Sequence, residues 1–283
     1  MSAGFGPALR PFIAWVRAAH PYPIAMVLIL TALVGLASSR GQADGLRLTA
    51  AVAAMLLSQL AIGWTNDYID RDRDAVSQQW KPVPAGELDA SHLPLAAAFA
   101  AATGAALAAL LGPWTLVFFV FGTAAGLSYD LWFKNTPLSW APFVAGFAVL
   151  PPFVWSALDS FRDQLLALYL VATPLVPAVH LAQSLPDAAA DAASGGRGLA
   201  AGLGDTAGGR LLALCLALPP LLTAASLSWI DYDRPLLAAS ICVYAVLLAA
   251  AARLYHTPAG RRAAFRPIAL ASVLFSAGWL AAV

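Results

Sequence analysis

An all-α bundle that crosses a membrane many times is the fold this sequence predicts, and three observations predict it. Of 283 residues, 60% are hydrophobic and only 11% charged, where soluble domains carry about 25% charged residues. Mean hydropathy is +0.74. The apolar stretches are continuous over roughly 20 residues, the length that spans a bilayer as a helix, and do not alternate as barrel strands do.

Nine such stretches lie near 21–39, 48–66, 93–111, 114–133, 138–157, 164–184, 209–228, 235–255 and 265–283. The first follows Arg10 and Arg17 and so has the flank of a secretory signal, but eight further spans behind it argue for an uncleaved helix. Gly112-Pro113 is nearly all that separates the third from the fourth, which predicts a tight helical hairpin. Two connections are long, 71–92 and roughly 188–208, and long loops in a compact bundle are often functional. The expected organisation is a single transmembrane domain over 1–283. Asp70 and Asp187 stand 117 residues apart, which suggests two similar halves, about 10–135 and 136–255, followed by a ninth helix.

Composition excludes some partners. Net charge is +1, so no basic face is available to track a nucleic acid. Cys215 and Cys242 both sit in apolar runs and read as packing residues, with no disulfide or metal framework. With nine spans, Arg40, Arg47, Arg162 and Arg234 fall on one side, and the other twelve of the sixteen Lys and Arg on the opposite side. The positive-inside rule then places the N-terminus in the cytoplasm. The expectation is a multi-pass protein of the cell membrane with both acidic clusters described below at its cytoplasmic face.

The second span ends in "NDYIDRDRD", residues 66–74. On a helical wheel with Asn66 at zero, Asp70 falls near about 40°, Asp74 near about 80° and Asp67 near about 100°. Arg73 flanks that stripe, and Asp72 points to the opposite side and reads as a plain solvated acid. Three like charges on one stripe repel, and lipid worsens the cost. The stripe is tolerable where it faces a hydrated cavity that receives cations. Carboxylate and amide oxygens are the ligands Mg²⁺ takes, usually one or two carboxylates together with substrate phosphates. Asn66, Asp67, Asp70 and Asp74 are therefore candidate Mg²⁺ ligands against a diphosphate, and the competing reading is a helix end whose acids pair with Arg71 and Arg73.

The sixth span ends in "HLAQSLPDAAADAASGGRGL", residues 180–199. His180, Gln183, Ser184, Asp187 and Asp191 fall within about 100° of one another on a wheel. Asp187 and Asp191 form a second carboxylate pair at i, i+4, and Pro186 predicts a kink. A lone histidine such as His180 is also a common packing residue, and Arg197 reads equally as a phosphate contact or an interfacial arginine. Two acidic clusters on one side of a bundle can clamp two or more Mg²⁺ ions around a diphosphate leaving group, neutralising charge as a carbon–oxygen bond breaks.

With these residues in view, the sequence resembles the UbiA-type intramembrane prenyltransferases. "NDYIDRDRD" matches every defined position of that family's NDxxDxxxD motif at Asn66, Asp67, Asp70 and Asp74. "KPVPAG" resembles its basic-Pro-x-x-x-Gly element at Lys81, Pro82 and Gly86, and Asp187 and Asp191 match its DxxxD motif. "YDLWFKNTPLSW" resembles its Tyr-to-basic segment at Tyr129 and Lys134, and Arg17 stands where the family places an arginine. The resemblance implies nine helices around a central cavity. It also implies Mg²⁺-dependent ionisation of an isoprenyl diphosphate and transfer of the prenyl group to a hydrophobic, often aromatic, acceptor. By the same resemblance, Lys81, Lys134, Arg73 and Arg197 are candidate diphosphate contacts, joined by Arg17, His180 and Gln183 as candidate substrate contacts. Tyr129 shields the cation or is an interfacial belt tyrosine. Many members begin the second motif with Asn-Asp; here Gln183 and Ser184 stand there, leaving one carboxylate fewer.

Two other readings remain open on the sequence alone. A membrane-embedded terpene cyclase would use the same ionisation and quench the cation internally. An ion or proton transporter would need ionisable groups near mid-bilayer, whereas these acids crowd one boundary and the centres of the spans are nearly uncharged.

Overall fold

The computed structural model describes residues 9–193 and 195–283. Those residues are helices joined by turns, with no strand among them. A short amphipathic helix, α1 (Arg10–Ala18), buries Ala14 and Ala18 and turns Phe12 outward. It precedes α2 (Pro21–Ser38), α3 (Gly45–Ser77), α4 (Leu93–Leu111), α5 (Pro113–Ser128) and α6 (Ala141–Leu158). The sixth span is broken into α7 (Ala167–Ala172), α8 (Leu175–Ser184) and α9 (Ala188–Ala193). Then come α10 (Leu199–Ser226), α11 (Arg234–Leu254) and α12 (Pro258–Ala282). Among the described residues, nine segments are long and apolar enough to cross a membrane.

The helix starts follow local chemistry. Asp44 caps α3 by accepting from the backbone N–H groups of Leu46 and Arg47 at 2.8 and 3.0 Å, satisfying donors that a helix N-terminus leaves unpaired. Asp233 and Thr257 do the same for α11 and α12. Pro21 and Pro113 open α2 and α5, at positions where the missing N–H costs nothing. The expected α4–α5 hairpin is present, and Gly112 makes its corner at φ 146°, a backbone conformation that a side chain disfavours.

Two expected loops are shorter than the sequence implied. The acidic stripe 66–74 lies wholly within α3, which continues to Ser77, so the expected 71–92 loop begins at Gln78. The run 188–208 is largely helical, in α9 and the first turns of α10. Alanine is the strongest helix former, and "AAADAA" holds a helix despite the glycines that follow. Pro186 lies in a 3₁₀ turn, Leu185–Asp187, which separates α8 from α9 as the proline predicted.

The helices pack in neighbouring pairs, α3 with α4, α5 with α6 and α11 with α12. In α12, 61% of the spanning stretch is buried, against at most 44% in any other span, and it packs against α2, α7, α8 and α11. Phe153, Trp155, Phe275 and Trp279 anchor the main core cluster. A second cluster joins α8, α10 and α12 through Leu181, Leu212 and Ile268. Large side chains such as Phe99, Trp114, Phe121 and Val246 face outward, as expected where lipid is the solvent.

Candidate active site

A cavity of about 590 Å³ opens among α2, α3, α5, α6, α8 and α12. One end is polar, walled by Asn66, Asp70, Arg73, Lys81, Asp130, Lys134, Gln183 and Asp187. Beyond them the wall is apolar: Met55, Ile62, Phe118, Phe119, Phe147, Leu150 and Val273. One hollow thus joins a charged head to a greasy body.

Of the three acids on the α3 stripe, Asp70 lines the cavity and Asp67 and Asp74 do not. Asp67, Asp70 and Asp74 are buried, while the Asp72 side chain is 86% exposed with Arg71 at 3.6 Å. Each buried acid has a basic neighbour. Lys81 Nζ donates to Asp74 Oδ2 at 2.6 Å and to Asp67 Oδ1 at 3.1 Å. Asp70 Oδ2 accepts from Arg73 at 2.8 Å and from Lys134 Nζ. Burial draws the Lys81 ammonium down, but the hydrogen bonds and charges of Asp74 and Asp67 outweigh it and hold the group above its ordinary range. Gln78 Nε2 donates to Asp74 Oδ1 at 3.1 Å.

The 78–89 segment places Lys81. It folds back on itself through Ala85 N–H to Lys81 O at 2.9 Å and Glu87 N–H to Pro82 O at 2.9 Å, with Gly86 at φ 72°. Arg17 of α1 fastens it, donating to Glu87 Oε2 and to the Trp80 carbonyl, both at 2.5 Å. Arg17 therefore holds the strap that carries Lys81 and is not itself in the cavity wall.

Tyr129, Asp130 and Lys134 come from a single π-helical turn, Tyr129–Phe133, closed by Lys134 N–H to Tyr129 O at 2.8 Å. Such turns recur at functional sites, and all three side chains line the cavity. Lys134 Nζ lies 5.9 Å from the Tyr129 ring centre. Tyr129 packs edge-on against Phe143 at 5.0 Å.

The second motif is spread more widely. Gln183 and Asp187 line the cavity, and Asp187 Oδ1 accepts from Arg262 of α12 at 2.7 Å. Asp191 is exposed on α9, and Arg197 is exposed just before α10; neither is in the wall. His180 is buried beneath it, with Nε2 3.2 Å from Ser139 Oγ and its ring 4.6 Å from that of Phe143. Its contacts are those of a packing histidine. Ser139 also accepts from Leu199 N–H at 3.0 Å, seating the start of α10.

Three residues of the site escaped sequence reasoning. His20 lines the cavity and its Nε2 meets Asp67 Oδ1 at 2.9 Å; its backbone is left-handed, φ 61° and ψ 69°. Asp130 accepts from Asn66 Nδ2 at 2.6 Å. Arg262 reaches Asp187 from a helix without a motif. Only His20 had a local signal, a polar residue wedged before Pro21 at the mouth of a greasy span.

The donor set fits a hard divalent cation. The buried oxygens Asp67 Oδ2 and Asp130 Oδ2 have no hydrogen-bond partner, and Asn66 adds an amide. Among the described residues no three His, Cys, Asp or Glu side chains are gathered so as to hold an ion by themselves.

The chain is similar to known proteins in sequence pattern and in fold. The family model described as the UbiA prenyltransferase family matches residues 27–276. A search of curated protein sequences gives no match. Among solved structures, a UbiA homolog from Archaeoglobus fulgidus bound to GPP and Mg²⁺ is similar, with TM-score 0.72 and 15% identity over 93% of this chain and 98% of its own. An apo UbiA homolog from Aeropyrum pernix K1 has TM-score 0.70 and 19% identity, over 91% of this chain and 97% of its own. Digeranylgeranylglyceryl phosphate synthase has TM-score 0.68 and 14% identity, over 95% of this chain and 97% of its own.

Proposed function

This chain belongs to the UbiA prenyltransferase family, and from that premise we propose that it transfers an isoprenyl group from a prenyl diphosphate to a small aromatic acceptor inside the membrane. The observation that carries this is the two-part cavity, with acids, amide and cations at one end and aromatic and aliphatic walls beyond. A prenyl diphosphate has the same division.

Arg73, Lys81 and Lys134 are placed to donate charge-assisted hydrogen bonds to diphosphate oxygens, the strong class of such bonds. Asn66, Asp67, Asp70, Asp74 and Asp187 are the residues that would hold Mg²⁺, as two or more ions; Asp191, exposed on α9, lies outside the cavity wall. A metal held by these residues would supply positive charge to offset the negative charge of a departing diphosphate. The apolar wall takes the isoprenyl tail and excludes water, and the Tyr129 ring offers a π face to an allylic cation. His20 and Lys81 steady the Asp67 carboxylate. Asp130 steadies the Asn66 amide. The charge asymmetry among the loops supports a cell-membrane protein with this polar end at the cytoplasmic face.

The test is incubation of the purified protein with labelled prenyl diphosphates of several lengths, Mg²⁺ and a panel of aromatic acceptors, followed by mass spectrometry. Prenylated acceptor with release of diphosphate is the expected result. Diphosphate release with a cyclised hydrocarbon and no prenylated acceptor would convert the reading to a terpene cyclase, and no consumption of any prenyl diphosphate would end it.

A further inference from the structure

Among the described residues, every acid in the cavity wall but one has an ion-pair partner. Asp70 has Arg73 and Lys134, and Asp187 has Arg262. Asp130 has the Asn66 amide alone, at 2.6 Å. It is only 6% exposed, and its Oδ2 is buried without a partner. A carboxylate oxygen taken out of water without a hydrogen-bond partner is costly. Yet the chain goes to some length to place it, winding Tyr129–Phe133 as a π turn so that Tyr129, Asp130 and Lys134 share the wall.

Asp74 uses both of its oxygens, with Lys81 and Gln78. Asp130 spends Oδ1 on Asn66, which turns the nitrogen of that amide toward it, and leaves Oδ2 over. Asn66 is itself a candidate ligand. An amide and an unpaired carboxylate oxygen side by side in the same wall make a two-residue cation-binding corner built from α3 and the π turn that follows α5.

We propose that Asp130 is a further carboxylate ligand of the divalent-cation site, acting next to Asn66 and outside both aspartate-rich motifs. This rests on the functional reading above, and the experiment separates the two. Mn²⁺ binding to the full-length protein is measured by electron paramagnetic resonance in the presence of inorganic pyrophosphate, for wild type, Asp130→Asn, Asp130→Cys and Asp70→Asn. Asp130→Asn preserves volume and can still accept from Asn66, so loss of the charge should weaken Mn²⁺ binding by about tenfold or more with the melting temperature kept. Asp130→Cys offers a soft sulfur, which should disfavour Mn²⁺ and favour Cd²⁺ relative to wild type. Wild type titrated with Cd²⁺ accounts for Cys215 and Cys242.

Asp130→Asn binding Mn²⁺ within about twofold of wild type, the scatter of a neutral surface change, would overturn the proposal. So would an Asp130→Cys variant that folds and shows no gain for Cd²⁺, which would leave Asp130 as a positioning residue for Asn66. If wild type and Asp70→Asn alike bind no Mn²⁺ with pyrophosphate, the functional reading falls and this assignment falls with it.

Discussion

The Lys81 ammonium donates to Asp74 Oδ2 at 2.6 Å, and both side chains are buried. The same nitrogen reaches Asp67, so one strap residue ties together two acids one helical stretch apart. Removing Lys81 would leave two buried carboxylates short of a cation. Breaking a buried pair in this one-sided way costs about 3 kcal/mol or more. Lys81→Met should therefore melt well below wild type in detergent, and Mg²⁺ with pyrophosphate should recover part of the loss. Equal melting temperatures would mean the pair contributes nothing.

The same residue sets an alkaline limit. Despite burial, which lowers it, Lys81 is raised above its ordinary 10.5 by Asp74 and Asp67. A raised ammonium contributes stability that is complete below the unfolded value and is lost as pH climbs through the folded one. Stability from this pair should hold from neutrality to about pH 10 and decline above it. Thermal unfolding followed across that range should show the decline in wild type and a flatter profile in Lys81→Met.

Asp70 and Asp72 test the orientation of α3. Asp70→Ala and Asp187→Ala should each lower turnover by roughly 10² or more while the helical circular dichroism signal survives, with Asp70→Ala melting lower because Lys134 loses its partner. Asp72→Ala, at a side chain 86% exposed, should stay within about twofold of wild type. Parity between Asp72→Ala and Asp70→Ala in a prenyl-transfer assay would reverse the wheel argument.

Removal of divalent ions should silence the reaction reversibly. Chelator-treated protein is expected to release no diphosphate from a prenyl diphosphate, and added Mg²⁺ should restore the rate. Turnover that persists in excess chelator would remove the metal from the mechanism.

Gly63 tests the seat of His20. A Cβ there would lie 2.6 Å from the Ala19 carbonyl oxygen, and backbone cannot swing aside as a flexible side chain can. Overpacking of this kind costs about 1–3 kcal/mol. Gly63→Ala should lower the melting temperature and displace the α1–α2 turn, and activity should fall with it. Unchanged stability would mean the turn is free to move.

Much of this was legible in the residues. Continuous apolar runs gave the nine spans because lipid imposes length directly on sequence. The wheel placed Asp67, Asp70 and Asp74 on one buried stripe and Asp72 outside because α3 stays a regular α-helix through Ser77. The same logic lost precision at the second motif, where the Pro186 turn interrupts the helix and carries Asp191 off the wall that Asp187 lines. Asp130 was hidden because a π turn follows no wheel of regular period. His20 and Arg262 were hidden because their partners, Asp67 and Asp187, lie 47 and 75 residues away, and no spacing rule reaches that far. His180 shows the reverse error: its polarity drew attention, while its surroundings are aromatic rings and a serine.

The pairing of Asp67, Asp70 and Asp74 with Lys81, Lys134 and Arg73 has a consequence for how a substrate enters. A diphosphate arriving with its magnesium would meet groups that are already spoken for, and each could change hands: carboxylates to the metal, ammonium and guanidinium to the phosphates. Docking then becomes a trade of neighbours at nearly constant charge, and the departure of product is the same trade run backwards.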